Sequence, residues 1–196
     1  MEPKPALIIV DLQNDFCPGG TLGVRDGDAV VPVLNRYIEM FTKADLPIYA
    51  TRDWHPDGTT HLDADGNPWP LHCIQGTEGA KFHTGLALGS NVVILSKGIN
   101  PDVESYSGFQ AANVDGLALS DLLRLQGVQR IFVGGLATDY CVKQTVLDGL
   151  KQGFAVTLLE DCIRGVDLAL GDSQRALQEM LGAGATTLHD IAELVL

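Results

Sequence analysis

Short apolar runs punctuate the chain, and each leads into a polar or glycine-rich turn: ALIIV before Asp11, PIYATR before Asp53, VVILS before Lys97, RIFVGG before Leu136, and AVTLLE before Asp161. A weaker TTLH run ends at His189. Unbroken aliphatic and β-branched runs of this kind suit strands covered on both faces, as in a parallel sheet. Between most of them apolar residues recur at helical spacing, over 28–44, 116–126, 138–152 and 172–183, with AELVL as a short terminal helix. Gly127, Gly153 and Gly184 follow three of these stretches, and Thr138 and Asp172 stand at expected N-caps. The alternation reads as repeated βαβ units.

Two segments break the pattern. Residues 54–90 and 98–115 are dense in Gly, Pro, Asp and Ser and have little periodicity, which predicts long loops at the edge of the sheet. Loops of that length in a compact domain are usually functional. In an open parallel sheet the ligand crevice lies beyond the carboxyl ends of the strands. Asp11, Asp53, Lys97 and the turn GLATDYC each follow a strand directly, so one fold sets them along a single rim although they are far apart in sequence.

Composition narrows the classes of function. The 196 residues, 45% hydrophobic and 19% charged, fit one globular domain spanning 1–196. Thirteen basic against twenty-five acidic residues give a formal charge of -12, which repels a phosphate backbone and argues against nucleic-acid binding. The first apolar run is too short for a signal peptide or a membrane span and lacks a basic leader, so a cytoplasmic protein is expected. Cys17, Cys73, Cys141 and Cys162 are scattered without CxxC spacing, and reduced thiols are expected.

The rim residues carry recognisable chemistry. Cys141 falls in the predicted first turn of a helix, where the helix N-terminus favours a thiolate and outward amides can meet an oxyanion. A free cysteine is also often just a small buried hydrophobe. Asp11 ends a buried strand, where a carboxylate is costly unless paired or used, and facing a cysteine it can accept the thiol proton. Lys97 between the two would stabilise both, and a purely structural Asp–Lys ion pair is the alternative. Asp53 and His55 alternate and so share a face in extended backbone. His61 and His72 can return from the loop that follows, giving a carboxylate and up to three imidazoles for zinc, iron or manganese. Phe16, Trp54, Trp69, Tyr106 and Phe109 lie near these groups, either to wall a flat ring or to fill a local core. His83 and His189 have no such company and are expected to be structural or exposed.

Together DLQNDF, DWH with the following TTH, WPLHC, SKG, SYSGF and GLATDYCV resemble the motifs of nicotinamidases, within the isochorismatase-like hydrolases, in that family's order along nearly the whole chain. The resemblance implies a three-layer α/β/α, Rossmann-like fold with a mostly parallel six-stranded sheet. It implies hydrolysis of nicotinamide to nicotinate and ammonia in NAD salvage, with pyrazinamide as a further substrate. Carried over by position, Cys141 is implied as nucleophile, Asp11 as proton acceptor and donor, and Lys97 as the charge supporting both. Asp53, His55 and His72 are implied as ligands of one divalent metal, zinc foremost, with His61 a fourth ligand as in some members. The amides of Ala137 and Cys141 would form the oxyanion hole after a cis bond at Leu136–Ala137. Phe16, Trp69 and Tyr106 would line the substrate pocket. The implied partner is a small-molecule substrate, and monomer or homo-oligomer is left open. Two other readings stay beside this one: a cysteine amidase of the same fold acting on a different carboxamide or carbamoyl compound, and a non-catalytic metal-binding member.

Overall fold

The structure, a computed structural model, describes residues 3–60, 62 and 69–194. Six strands form one sheet: β1 (Pro5–Val10), β2 (Ile48–Asp53), β3 (Val92–Lys97), β4 (Arg130–Leu136), β5 (Ala155–Arg164) and β6 (Thr186–Leu188). Their order is β3-β2-β1-β4-β5-β6, and every pairing is parallel. Each predicted run is therefore a strand. β5 continues to Arg164, beyond the predicted run, after a register shift opposite Val133 and Gly135 of β4.

The side chains of β1 alternate between two cores, which explains why its run is apolar throughout. Leu7 and Ile9 pack with Leu34, Tyr37, Ile38 and Phe41 of α1 (Val31–Lys43). Ala6, Ile8 and Val10 face the other layer, with Leu119 and Leu123 of α2 (Leu119–Leu125), Val146 of α3 (Lys143–Lys151) and Met180 of α4 (Asp172–Gly182). Helices thus cover both faces, as a parallel sheet requires.

The helices are shorter than periodicity predicts. Residues Gly27–Val30 form a 3₁₀ turn before α1, and α2 starts at Leu119 because Ala118 is still extended and Gly116 is left-handed. The expected N-caps shift by one residue: Ala137 and Gly171 occupy the cap positions, and Asp172 uses its carboxylate to accept the Ala169 amide instead. Gly127, Gly153 and Gly184 do end their helices with positive φ, as predicted. AELVL is not a helix among the described residues. A 3₁₀ turn at Ile191–Glu193 stands there, fixed by the Asp190 carboxylate accepting the Ala192 amide, and residues 195 and 196 lie outside the described residues. The segments 54–90 and 98–115 contain, among the described residues, no helix longer than the 3₁₀ turn Gly108–Gln110.

Strand order reverses at β1, whose neighbours β2 and β4 lead away in opposite directions, and such a switch point opens a crevice at the carboxyl ends. The two strands approach closely there. A Cβ on Gly135 (φ +127°) would lie 2.1 Å from the Val10 carbonyl oxygen, directly below Asp11. Gly135→Ala is expected to cost about 3 kcal/mol or more, because the clash is with backbone and cannot relax by a rotamer change. Urea unfolding of the variant measures it.

Candidate active site and metal centre

The strand ends deliver Asp11, Asp53 and Lys97 to one buried point, and the turn after β4 adds Cys141. Asp11 has a left-handed backbone (φ 46°), an uncommon conformation for a non-glycine residue. Its Oδ1 accepts the Thr51 hydroxyl at 2.7 Å. Its Oδ2 lies 2.9 Å from Lys97 Nζ, yet it is the buried side-chain polar atom left without a well-directed hydrogen bond among the described residues. Lys97 is 1% exposed. Its ammonium donates to Asp53 Oδ1, to the Ser105 carbonyl (3.2 Å) and to Cys141 Sγ (3.6 Å). One cation therefore touches two carboxylates and a thiol.

Burial alone would discharge that lysine, but Asp11, Asp53 and Cys141 around it drive its pKa well above the ordinary value, so it stays charged. Burial pushes Asp11 up, and Asp53 adds to this against Lys97 and the Thr51 hydroxyl. Burial acts likewise on Asp53, but Lys97, His72 and His55 outweigh it and hold that carboxyl below the usual range. For Cys141 the expectation of a lowered thiol pKa is overturned. Burial raises it well above its ordinary value, and the pull of Lys97 is opposed by Asp11 and Asp53. An Asp11 carboxylate oxygen lies within 4.8 Å of the sulfur.

Cys141 sits in a wide π-type turn, Thr138–Val142, that runs straight into α3. The Ala137 carbonyl closes this turn by accepting the amides of Tyr140 and Val142, each at 3.1 Å. The Leu136–Ala137 peptide is cis. Thr145 secures the turn from one helical step on: its hydroxyl donates to the Cys141 carbonyl (2.7 Å) and accepts the Gly108 amide (2.8 Å), joining the Cys141 turn to the SYSGF segment.

Beside this cluster, carboxylate and imidazole atoms of Asp53, His55 and His72 lie within 4.8 Å of one another, all three buried. His55 Nδ1 faces the Gly98 carbonyl at 3.1 Å and His72 Nδ1 the Pro70 carbonyl at 2.9 Å. A carbonyl can only accept, so the neutral tautomer that suits these contacts carries its proton on Nδ1, the form in which Nε2 can ligate a metal. Both Nε2 atoms face Asp53 Oδ2, at 3.9 and 3.8 Å, too far for hydrogen bonds. One carboxylate oxygen and two imidazoles thus converge, while Lys97 pairs with the other oxygen of Asp53. That donor set fits a divalent cation of the zinc type. Gly98 makes the approach feasible: its φ is +68°, and a Cβ there would stand 2.5 Å from the His55 ring. His61 lies outside the described residues.

A cavity of about 290 Å³ opens over both groups, with Cys141, Asp53, His55 and His72 in its wall. Phe16, Trp69 and Tyr106 also line it. Trp54 and Phe109 do not: Trp54 stacks under the Arg52 guanidinium and Phe109 on Phe154. Tyr140, which the sequence reading passed over, closes the aromatic wall, its ring 4.9 Å from that of Trp69. Its position beside Cys141 was the available signal. The Trp69 indole N–H donates to the Tyr106 hydroxyl (3.0 Å). His83 accepts the Gly85 amide and His189 pairs with Glu160, both apart from the site, and all four cysteines are free.

A parallel α/β sheet gathers a thiol, an acid and an amine at its switch point, beside the carboxylate and imidazoles of the candidate metal centre. The isochorismatase domain model matches residues 5–190, and the chain belongs to that family. It is 42% identical to the nicotinamidase of Escherichia coli strain K12, with 97% of each chain covered. It is 45% identical to a pyrazinamidase of Pyrococcus horikoshii solved in complex with zinc, at TM-score 0.86 with 95% of this chain and 99% of that one covered. PnC1 from L. infantum, solved in complex with nicotinate, is 35% identical at TM-score 0.83, with 100% of this chain and 96% of that one covered. No helix among the described residues is long and apolar enough to cross a membrane.

Proposed function

We propose that this protein is a nicotinamidase, hydrolysing nicotinamide to nicotinate and ammonia, and that it also accepts pyrazinamide. The observation that carries the reading is the Lys97 ammonium, which touches the Asp11 acid, the Cys141 thiol and the Asp53 carboxylate of the metal centre at once. It links a nucleophile and its base to a group that can grip the substrate. The names of the relatives support the choice of substrate.

In the mechanism we assign, the carboxamide lies against Cys141 and the aromatic ring between Phe16, Trp69 and Tyr106. Asp11 Oδ2, the acceptor with spare capacity, takes the thiol proton as sulfur bonds to the amide carbon. The amides of Ala137 and Cys141 receive the oxyanion, each such donor contributing up to ~3–4 kcal/mol in related chemistry. Asp11 then passes its proton to the amide nitrogen, the C–N bond breaks, and ammonia leaves a thioester on Cys141. Water adds to the thioester with Asp11 again accepting a proton, and the C–S bond breaks to give nicotinate and the reprotonated thiol. Lys97 holds its charge throughout and limits the cost of each buried anion. Asp53, His55 and His72 would hold a divalent cation, zinc foremost, which supplies a Lewis acid for the ring nitrogen and for water.

Ammonia release from nicotinamide tests the activity, and the metal dependence is a separate outcome. Dialysis against a chelator is expected to remove at least ~90% of the activity, and added zinc, iron or manganese to restore it. Undiminished turnover in fully metal-free protein overturns the assignment of Asp53, His55 and His72.

A further inference from the structure

Alternate residues after β1, namely Asp11, Gln13 and Asp15, reach into the site or its ligand loop, and the mechanism uses only the first. Gln13 is fully buried. Its Oε1 accepts the Asp53 amide at 2.7 Å, while its Nε2 donates to the Asp53 carbonyl at 2.8 Å and the Ala80 carbonyl at 2.9 Å. A single side chain thus satisfies both backbone polar groups of Asp53. Asp15 Oδ2 accepts the amide of Cys73 at 2.7 Å, the residue after His72, and its Oδ1 accepts the Thr21 amide and hydroxyl at 3.3 and 3.1 Å. Cys73 itself is left-handed (φ 47°), a conformation that this contact helps to hold.

The same segment is tied by its backbone to the far side of the loop. Asn14 and Asp15 donate to the carbonyls of Lys81 and Gly79, at 2.9 and 3.0 Å, and Gln13 bridges Phe82. The fit is close: a Cβ on Gly79 would fall 2.2 Å from Asp15 Oδ2. Phe16 completes the frame with its ring 5.5 Å from that of His72. Asp53 ends a strand and His72 belongs to an irregular loop, and a short β-bridge at His55 and Ile74, with the His55 amide donating to the Cys73 carbonyl (3.0 Å), joins the two segments without setting where either side chain points. The segment 13–16 contacts both.

We propose that Gln13 and Asp15 are positioning residues that fix the separation of Asp53 and His72, and so set the affinity of this site for its divalent cation. The physical reason is preorganisation: ligands already spaced for the ion need not be ordered when it binds. The inference rests on the metal reading above. A purely structural role, in which both residues merely satisfy buried backbone groups, makes a different prediction for the metal.

The test compares the whole protein with Gln13→Met, Asp15→Asn and Tyr37→Phe. Affinity for zinc is read by competition with a chromophoric chelator, the ligand field by the visible bands of cobalt-loaded protein, and stability by melting of the metal-free forms. Gln13→Met keeps the bulk of the side chain without its polar atoms, and Asp15→Asn leaves one acceptor oxygen where two are used. Each is expected to weaken metal binding by about 10- to 100-fold, as loss of outer-sphere partners typically does, and to shift the cobalt bands. Tyr37→Phe removes a buried hydrogen bond to Asp161 away from the site, and is expected to lower the melting temperature with metal affinity unchanged. Unchanged affinity and spectrum in Asp15→Asn overturns the proposal, even if Gln13→Met fails to fold. An equal loss of affinity in Tyr37→Phe overturns it too, because affinity would then follow stability alone. Wild-type protein that binds no stoichiometric metal overturns this proposal and the metal reading together, whereas stoichiometric wild-type binding with unaltered variants overturns this proposal only.

Discussion

Cys141→Ala is expected to lower ammonia release by about 10⁴-fold or more, the scale seen when a covalent nucleophile is removed from a concerted set. Binding of the metal should stay nearly unchanged. The two outcomes come apart because of how the charges are arranged. Lys97 keeps both carboxylates as partners without the sulfur, and Asp53 presents its second oxygen to His55 and His72 as before. The backbone of the turn is held from outside the side chain, by the Ala137 carbonyl and the Thr145 hydroxyl, so the fold should not depend on the thiol. Removing one buried sulfur leaves a small cavity, for which about 1–2 kcal/mol is expected. Turnover comparable to wild type in a folded, metal-loaded variant would mean that some other group attacks the amide. Cys141→Ser should also be nearly inactive, since a hydroxyl is a far weaker acid than a thiol in a site that already raises the thiol pKa by burial.

The rim residues were legible in the sequence because buried parallel strands leave a plain trace. Asp11, Asp53 and Lys97 each interrupt an apolar run at its end, where the sheet's crevice must lie, and six apolar runs became six strands. What was not legible depends on contacts between distant segments. Gln13 and Asp15 fall in the polar turn after β1, and their side chains find their distant partners only when β2 and residues 73–80 are brought beside them by the fold. Thr51 lies inside a buried strand, where its hydroxyl meets Asp11, and a threonine in a strand is too common for pattern alone to mark it. The direction of the Cys141 pKa was misjudged for a related reason. A local rule about helix ends was applied to a thiol whose surroundings are set by burial and by carboxylates from two other strands. Local rules also misplaced the N-caps, because the residue before each helix reaches the cap conformation without a side-chain contact.

The second large effect belongs to Asp11→Asn, for which a loss of about 10²–10⁴-fold is expected, the usual range for removing a general base. Asparagine fits the position well. It tolerates the left-handed backbone, and its oxygen can still accept the Thr51 hydroxyl. Lys97 retains Asp53 as a partner, so a charged lysine is not stranded. The pH dependence gives a sharper test than the rate. Asp11 must be ionised to accept a proton, and burial together with Asp53 raises its pKa above the ordinary 3.8. Activity in the wild type is therefore lost as pH falls through that raised value, which places the acid limb higher than an exposed aspartate would. The limb belongs to the cluster of Asp11, Lys97, Asp53 and Cys141 rather than to one residue, because these groups titrate against each other. On the alkaline side the thiol and the ammonium are both pushed upward, so no decline from either is expected near neutrality. Asp11→Asn should remove the acid limb from the residual rate, leaving a flatter profile of kcat/KM. A variant that keeps the wild-type rate together with the same acid limb would transfer the proton-accepting role away from Asp11. A variant with a lower rate but an unshifted limb would leave Asp11 only the task of placing Lys97 beside the sulfur.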